Sequence, residues 1–270
     1  MHYDIYPVHP DLREFVKCIW TLHGSEGVRE KQVIVPDGSM EMIFHYGDLY
    51  RQYIKKDQSI VQPKCFVMGQ LTEPLTIEPT GITEIFAVRF QPHGFIPFTH
   101  LPLSEFENTA VALDKVFGPD GIKLEEQLWL IDATQDRIKV VEDFLLNQIQ
   151  DGAVIDRLIK TTIDLIWEAN GNFSVQNLSE HSSVNRRKLE RKFSSTVGIS
   201  PKYLSRIIRM QSVLKELIAN NYENLTSLAH NEGYYDQAHF IKDFKMFTGQ
   251  TPKAFFSKNL KLSSLFYGKG

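Results

Sequence analysis

The sequence predicts an α+β protein in which a strand-rich N-terminal part precedes an all-helical C-terminal part. Residues 1–112 contain short runs rich in β-branched and aromatic side chains, separated by turn residues. From residue 113 onward, apolar residues recur at helical spacing. The charged residues are also unevenly distributed. From Gly171 onward there are 15 Lys and Arg and 7 Asp and Glu, whereas the residues before it include 15 Lys and Arg and 26 Asp and Glu. We therefore expect the basic part to meet a polyanion.

Composition narrows the class of protein. The chain has 270 residues, of which 42% are hydrophobic and 23% charged, as in globular proteins of about two domains. Its two cysteines, Cys18 and Cys65, are too few for a disulfide framework. The first residues do not resemble a signal peptide, and no apolar run reaches the ~18 residues of a membrane span. We expect a cytoplasmic protein with no membrane partner.

The N-terminal domain, placed at residues 1–112, is predicted to be a β-barrel or sandwich. Turn residues such as Pro36-Asp37-Gly38 separate its strands. Several short strands at this spacing are typical of barrels and sandwiches. The clearest runs are Lys31–Val35, Met40–Tyr46, Lys64–Met68 and Thr83–Phe90.

Residues 113–152 are predicted to form a helical segment and a linker. Apolar residues from Val116 to Ile149 recur at helical spacing, and Gly118–Gly121 interrupts them. The stripe either forms a dimer interface or covers the barrel. Gln150–Gly152 is a short linker to the third region.

Residues 153–265 are predicted to be entirely helical, with recognisable helix ends. A one-sided apolar stripe runs from Asp156 to Ala169, and Asn170-Gly171 can adopt the left-handed conformation that ends a helix. Ser183–Asn185 opens a helix through Lys192, and Pro201 follows the N-cap Ser200. Further N-caps are predicted at Ser174, Thr226 and Asp236.

Two segments, Ser174–Phe193 and Leu225–Lys245, share one plan. In each, a short capped helix and a tight turn precede a second helix with two apolar anchors four residues apart. The anchors are Leu189 and Phe193 in the first segment, then Phe240 and Phe244 in the second. This is the layout of a helix-turn-helix, whose second helix enters the major groove of DNA.

The residues between the anchors suit base recognition. Arg187 and Arg191 point away from the core, and arginine bonds bidentately to guanine for about 1–3 kcal/mol of discrimination. Gly233 lies at the second turn, where a positive φ is expected. A helix over residues 201–219 joins the two units and spans roughly 28 Å, close to the ~34 Å between successive major-groove faces. One monomer then reads two adjacent turns of DNA.

The spacing resembles the AraC/XylS family of transcriptional regulators. The second unit carries Gly233-Tyr-Tyr-Asp-Gln-Ala-His-Phe240 and the trailing Gly249-Gln-Thr-Pro252, and the first carries Leu189-Glu-Arg-Lys-Phe193 with Gly198-Ile-Ser-Pro201. The resemblance implies phosphate contacts from Lys192 and Lys245. It implies base-reading positions at Arg186, Arg187, Glu190, Arg191, Gln237, Ala238, His239 and Lys242.

Two of these positions allow fewer kinds of contact with a base. Ala238 touches only a thymine methyl group. Glu190 either accepts a hydrogen bond from cytosine N4 or pairs with Arg186 or Arg187.

The N-terminal domain resembles the cupin-like sensor found in one branch of that family, on the stretches Val35–Phe44 and Phe66–Gln70. The histidines are scattered, so we expect no metal, and His45 and His93 are expected to have hydrogen-bond partners. Arg89 either binds an anionic ligand or pairs with Glu41. Seven residues are candidate ligand contacts: Trp20, Met40, Met42, Phe44, Phe86, Arg89 and Phe90. The alternative is that these side chains only fill the barrel.

The family resemblance implies a sequence-specific regulator of double-stranded DNA that contacts RNA polymerase and acts either as an activator or as a repressor. We expect a small-molecule effector to control it by changing domain packing or dimerisation. The alternative is that the N-terminal domain serves homodimerisation or protein interaction and has no ligand. An enzyme is not expected, and no cofactor. DNA-repair methyltransferases fused to such modules use a reactive cysteine, and neither Cys18 nor Cys65 lies in a Pro-Cys-His-type motif.

Overall fold

A computed structural model describes residues 1–24, 30–55, 58–149, 156–173 and 185–256. The N-terminal part consists mainly of antiparallel strands in two sheets, and the C-terminal part is helical. The predicted α+β class is therefore confirmed. Among the described helices, none is both long and apolar enough to cross a membrane.

One sheet has six strands in the order β1-β2-β9-β4-β7-β10, and the other has four in the order β3-β8-β5-β6. The four predicted runs form β3, β4, β7 and β9, while the other strands were not predicted. The bounds are β1 His2–Tyr6, β2 Val16–Gly24, β3 Gln32–Ile34, β4 Glu41–His45, β5 Tyr50–Lys55, β6 Gln58–Val61, β7 Cys65–Met68, β8 Leu75–Pro79, β9 Thr83–Phe90 and β10 Ala110–Ala112. Short 3-10 helices cover Pro10–Leu12, Ile96–Phe98 and Leu103–Phe106.

The central strands of the six-stranded sheet are buried on both faces, and alternate residues of these strands enter different cores. On β4, Met42 and Phe44 belong to the core that includes three helices. Ile43 instead packs toward the core of Trp20 and Tyr50 with Ile77 of the second sheet. The sheet therefore separates a helix-covered core from the space between the sheets.

The predicted helical segment covers the first of these cores. It forms α1 (Leu113–Phe117), α2 (Pro119–Trp129) and α3 (Thr134–Gln148). Leu124 and Leu128 of α2, with Val141 and Leu145 of α3, are fully or almost fully buried against the sheet. Of the two predicted roles, covering the sheet is the one that the contacts show.

Six described helices form the C-terminal part: α4 (Arg157–Glu168), α5 (Arg186–Val197), α6 (Pro201–Ile218), α7 (Leu225–Asn231), α8 (Gln237–Thr248) and α9 (Pro252–Phe256). The predicted caps Ser200 and Asp236 are confirmed. Thr226 was the wrong cap for α7, because Asn224 accepts from the backbone N–H groups of Thr226 and Ser227. Helix α5 continues beyond the expected Lys192. The helix expected after Ser174 lies outside the described residues.

Helix α6 lies at the centre of the helical part. Its apolar residues are buried in one cluster with residues of α4, α5, α7 and α8. At the end of α4, Gly171 has φ +75°, and its carbonyl accepts a hydrogen bond of 2.8 Å from Arg209 Nη2 on α6. A Cβ at Gly171 would lie 2.5 Å from the Arg209 backbone nitrogen and would collide with the Ser205 carbonyl oxygen.

The loop formed by residues 35–40 joins the β part to α6. Val35 is buried in the helical core. The Pro36 carbonyl accepts a hydrogen bond of 2.6 Å from Gln211 Nε2 of α6. Gly38 has φ +80°, and a Cβ there would lie 2.6 Å from Leu204 Cδ1. The loop therefore packs against α6 without room for a larger side chain.

We predict that Gly171→Ala strongly destabilises the helical part. The substitution adds left-handed strain, about 1–2 kcal/mol, and the collision with the α6 backbone. We expect the free energy of unfolding to fall by at least ~2 kcal/mol more than in the control Gly249→Ala. Gly249 also has positive φ, +71°, but the nearest atom to its added Cβ is 3.6 Å away. Urea unfolding of both variants measures the difference, and equal losses would contradict this close packing.

Candidate DNA-binding surface and ligand cavity

Helix α5 exposes a row of cations over a buried anchor face. Asn185 caps the helix by accepting from the N–H groups of Arg187 and Lys188 at 3.0 and 3.3 Å. Leu189, Phe193 and Val197 are fully buried, which fixes the orientation of the helix. Because of the 3.6-residue period, the remaining positions point outward. The exposed cations are Arg186, Arg187, Lys188, Arg191 and Lys192.

Two of these cations already have anionic partners. Arg186 Nε lies 3.0 Å from Glu190 Oε1, the pairing that the sequence left open for Glu190. Lys192 pairs with the carboxylate of Asp156, the N-cap of α4. Burial opposes ionisation of Asp156, but hydrogen bonds from Lys192 and from backbone N–H groups outweigh it and lower the pKa of Asp156. Within the part of the chain that the structure describes, Arg187 and Arg191 form no ion pair.

Helix α8 repeats this arrangement. Asp236 caps it by accepting from the N–H of His239 at 2.7 Å. The anchors Phe240 and Phe244 are buried, and Phe247 is buried beside them. His239 is partly exposed, and its ring packs on Tyr234 with 5.2 Å between centroids. The other predicted contacts on this helix are exposed: Gln237, Ala238, Lys242 and Lys245.

An ion pair that sequence reasoning missed fixes α8 to α6. Arg206 of α6 reaches Asp243 of α8, with Nη2–Oδ1 at 2.8 Å and Nε–Oδ2 at 3.3 Å. The Asp243 side chain is 2% exposed. A buried carboxylate requires a cationic partner. Its position on the apolar face between Phe240 and Phe247 was the signal that could have indicated one.

The turn before α8 places one more exposed group at this surface. Gly233 has φ +74°, as predicted, and a Cβ there would collide with the side chain of Asn172. Tyr235, which follows in the turn, is 92% exposed. Sequence reasoning did not select Tyr235, because an aromatic residue in this motif is usually part of the core.

Comparisons with known proteins agree with this geometry. A family of helix-turn-helix domains matches residues 178–258, a range that includes α5 to α8. A domain family of unknown function matches residues 4–112. An uncharacterized HTH-type transcriptional regulator of Haemophilus influenzae is 25% identical over 116 residues, 43% of this chain and 37% of that protein. The chain therefore spans well under half the length of this relative.

The helix-turn-helix match falls on the two capped units described above. Residues 178–258 therefore contain a helix-turn-helix domain, which agrees with the resemblance to AraC/XylS transcriptional regulators.

Solved structures of low sequence identity are also similar to this chain. ToxT from Vibrio cholerae has a TM-score of 0.48 and 11% identity over 95% of this chain and 98% of its own. Wild-type ToxT with a bound unsaturated fatty acid has a TM-score of 0.42 and 11% identity, covering 94% of each chain. The C-terminal domain of AraT, a response regulator from Geobacillus stearothermophilus, has a TM-score of 0.36 and 21% identity over 40% of this chain and 90% of its own.

The protein has a cavity of about 370 Å³ between its two sheets and the helical part. Alternate residues of β4 line it, from Glu41 through Ile43 to His45. The helical side is lined by Trp167 and Asn170 at the end of α4 and by four residues of α6: Ile208, Gln211, Ser212 and Lys215. Helix α6, which lies between α5 and α8 along the chain, is therefore part of the cavity wall.

The structure corrects most of the predicted ligand contacts. Trp20 and Arg89 line the cavity. The other five candidates belong to the helix-covered core on the opposite face of the sheet: Met40, Met42, Phe44, Phe86 and Phe90. Strand alternation explains the error, because the most apolar residues of β4 and β9 point away from the cavity.

Arg89 forms the ion pair that the sequence left as one of two alternatives. Its Nε donates to Glu41 Oε1 at 2.7 Å, and Asp37 Oδ2 lies 3.7 Å away. Trp20 Nε1 donates to the same Glu41 oxygen at 3.0 Å. Two carboxylates therefore neutralise this guanidinium at the edge of the cavity. Among the described residues, no group of three His, Cys, Asp or Glu side chains is placed to hold a metal ion.

His45 lies at the inner end of the cavity with the hydrogen-bond partner expected for it. Its Nε2 is 3.2 Å from Gln62 Oε1, and Gln62 Nε2 donates to Gln52 Oε1 at 3.1 Å. The imidazole stacks on Tyr50, with 5.3 Å between ring centroids. Burial lowers the pKa of His45 to about 4 and outweighs the opposing effect of the Gln62 hydrogen bond. The ring is therefore neutral at neutral pH.

We predict that His45 makes the folded protein sensitive to acid. Its pKa is about 4 when folded and about 6.5 when unfolded. Between these values the unfolded chain binds more protons, so the free energy of unfolding falls as the pH falls. The contribution of His45 is intact above pH 6.5, and about 2 kcal/mol of it is lost between pH 7 and 4.5.

Urea unfolding at pH 7 and pH 4.5 measures this loss, with His45→Gln as the comparison. Burial also lowers the pKa of His93, but His93 is present in both proteins, so its contribution cancels. We expect the variant to lose about 2 kcal/mol less than the wild type over this interval. The same pH dependence in both proteins would show that His45 is not buried as a neutral ring.

Proposed function

We propose that this regulator binds double-stranded DNA sequence-specifically with α5 and α8 in successive major grooves, and that a small molecule in the cavity controls this binding. The observation that supports the proposal is the shared use of α6. This helix holds both recognition helices through buried contacts and also lines the cavity.

The DNA-binding part of the proposal depends on the length and fixation of α6. The helix has 18 residues, and at 1.5 Å per residue it spans about 27 Å. Its start follows α5 after three residues, Gly198–Ser200, and the Arg206–Asp243 ion pair fixes α8 against it. The ~34 Å between major-groove faces on one side of DNA is close to this length.

The exposed side chains divide into base readers and phosphate contacts in this proposal. Arg187 and Arg191 reach guanine from α5, and Gln237 reaches adenine from α8. Lys242 reads guanine. Lys192 and Lys245 bind phosphate, and Lys192 exchanges its Asp156 partner for DNA. The remaining family positions serve the same surface with weaker discrimination: Arg186, Glu190, Ala238 and His239.

Ligand control follows from where the cavity lies. A molecule inside it contacts both the sheets and α6, so it affects the fit of the 35–40 loop on that helix. A ligand changes DNA affinity only if it binds the two arrangements of the domains with different free energies. A cavity at the boundary between the domains meets this condition more readily than one enclosed in a single domain.

The alternative is a regulator whose N-terminal part only dimerises or binds another protein. The edge strand β6 has all four residues exposed, and two of them, Ile60 and Val61, are large and apolar. Such an edge can pair with a second strand. Homodimerisation here, and contact of an activator with RNA polymerase, are predictions carried from the family resemblance.

We predict that Arg187→Ala and Arg191→Ala each weaken binding to a selected DNA site. The site is obtained from a random DNA pool with the purified full chain. Each loss of a bidentate guanine contact costs about 1–3 kcal/mol, roughly 5- to 150-fold in Kd. Fluorescence anisotropy at fixed salt concentration measures Kd for the selected site and for a scrambled one, and circular dichroism confirms folding.

Lys188→Ala is the matched control, because Lys188 is an exposed cation on the same helix and is not one of the predicted base readers. It removes one charge and lowers affinity for both DNAs alike. If the arginine variants also lower both affinities equally, α5 does not read bases.

We predict that a cavity ligand changes the DNA affinity of the full chain. A screen for compounds that raise its melting temperature supplies the ligand. We expect Kd for the selected DNA to change at least ~5-fold, the lower end of typical allosteric coupling. Gln211→Leu removes the hydrogen bond to Pro36, so the change should be smaller.

Lys202→Ala is the control, since Lys202 is an exposed residue of the same helix. If every stabilising compound leaves Kd unchanged, ligand control is wrong and the dimerisation alternative is favoured.

A further inference from the structure

We infer that the cavity takes an uncharged, largely apolar alcohol or phenol whose hydroxyl group donates a hydrogen bond to Nδ1 of His45. The inference rests on the proposed function in one respect, namely that a small molecule occupies this cavity. It adds the chemical class of that molecule and the atom that recognises it.

The hydrogen bonds around His45 determine which ring nitrogen carries the proton. Gln62 Nε2 donates to Gln52 Oε1, so the Gln62 amide presents its oxygen to the imidazole. An amide oxygen only accepts hydrogen bonds. His45 Nε2 therefore carries the hydrogen and donates, and in the neutral ring Nδ1 is left as an acceptor.

That acceptor has no partner. His45 is 2% exposed and lines the cavity, and its Nδ1 forms no hydrogen bond with any described residue. A second acceptor on the cavity wall, Gln32 Oε1 of β3, is also buried without a partner. Buried polar atoms left unpaired are costly, so a ligand that donates to them is bound selectively.

The donor groups of the side chains around His45 already have acceptors. Trp20 Nε1 donates to Glu41, and Gln62 Nε2 donates to Gln52. The Tyr50 hydroxyl is hydrogen-bonded to Thr83 Oγ1. The inner end of the cavity therefore presents acceptors to a ligand, and a ligand hydroxyl complements it better than a ligand carbonyl group does.

Charge argues against an anionic group at this end. Arg89 already has two carboxylates, Glu41 and Asp37, within 4 Å. A ligand carboxylate would meet these like charges and the lone pair of His45 Nδ1. The ammonium groups that line the cavity, on Lys17 and Lys215, belong to exposed residues at its outer side.

The walls require that the rest of the ligand be apolar. Leu22, Ile43, Ile77 and Ile85 line the space together with the Trp20 ring. A volume of about 370 Å³ lies in the usual range of small-molecule sites, about 300–1,000 Å³. A ligand with one hydroxyl group on an aromatic or aliphatic skeleton therefore fits this cavity, because His45 provides the polar contact and the walls around it are apolar.

The test uses two matched sets of probes on the full-length protein. One set is 2-naphthol, 2-methoxynaphthalene and 2-naphthoate; the other is 1-octanol, methyl octyl ether and octanoate. Isothermal titration calorimetry measures Kd for each. We expect at least one hydroxyl compound to bind, at least ~10-fold more tightly than the ether and the carboxylate of its set.

Two variants distinguish loss of the Nδ1 acceptor from a general disturbance of the fold. His45→Gln retains an amide that reaches Gln62 but has no atom at the Nδ1 position, so the preference for hydroxyl over ether should fall to ~2-fold or less. His45→Asn places an amide oxygen near the Nδ1 position and should retain the preference. The ¹⁵N NMR signal of His45 Nδ1 in the wild type gives a readout that needs no variant, because it shifts when Nδ1 accepts a hydrogen bond from 2-naphthol.

The outcomes also distinguish this inference from the proposed function. Tighter binding of the carboxylates, equal binding of hydroxyl and ether, an unmoved Nδ1 signal, or no binding of either hydroxyl compound overturns the inference. If a carboxylate binds in the cavity and changes DNA affinity, ligand control stands while the inference fails. If a hydroxyl compound binds through His45 and DNA affinity is unchanged, the inference stands while ligand control fails.

Discussion

The structure depends on the packing of α6, a helix with buried residues on more than one side. Leu214 and Leu217 lie in the core of the helix-turn-helix units. Leu204 and Ile208 also meet Gly38 of the 35–40 loop. Because close-packed side chains have little free volume, such a helix cannot rotate or shift without repacking both contacts. The position of the β part and the positions of α5 and α8 are therefore mechanically linked.

Capping residues and apolar periodicity predicted the helical part well, and the errors in that prediction have local causes. Ser200 and Asp236 were identified as caps because each is the capping residue immediately before an apolar stripe. Asn224 and Thr226 both accept backbone hydrogen bonds readily, so the pattern alone did not choose between them. The capping box between Asn224 and Ser227 decides for Asn224. Strands such as β6, whose residues are all exposed, have no apolar alternation that would predict them.

The two candidate sites differed in how far the sequence could predict them. On α5 and α8 the exposed residues follow from the helical period once the anchors are known. The cavity was predicted poorly because β4 and β9 are buried on both faces, and alternation does not indicate which face borders a cavity. Choosing the most apolar residues selected the helix-covered core. The cavity face carries polar residues, His45 and Arg89 among them, whose partners are distant in sequence.

Asp37 shows how the cavity and α6 can be coupled through few atoms. Its Oδ2 lies 3.7 Å from Arg89 Nε at the cavity, and its Oδ1 accepts a hydrogen bond of 2.9 Å from the Ser39 backbone N–H. The same carboxylate therefore meets the cavity cation and shapes the loop whose Pro36 carbonyl binds Gln211 of α6. Under the proposed ligand control, a molecule in the cavity that moves Arg89 alters the electrostatic environment of Asp37 and hence the stability of this turn. Coupling through this three-residue turn needs no large domain movement, only two arrangements of the loop that the ligand distinguishes.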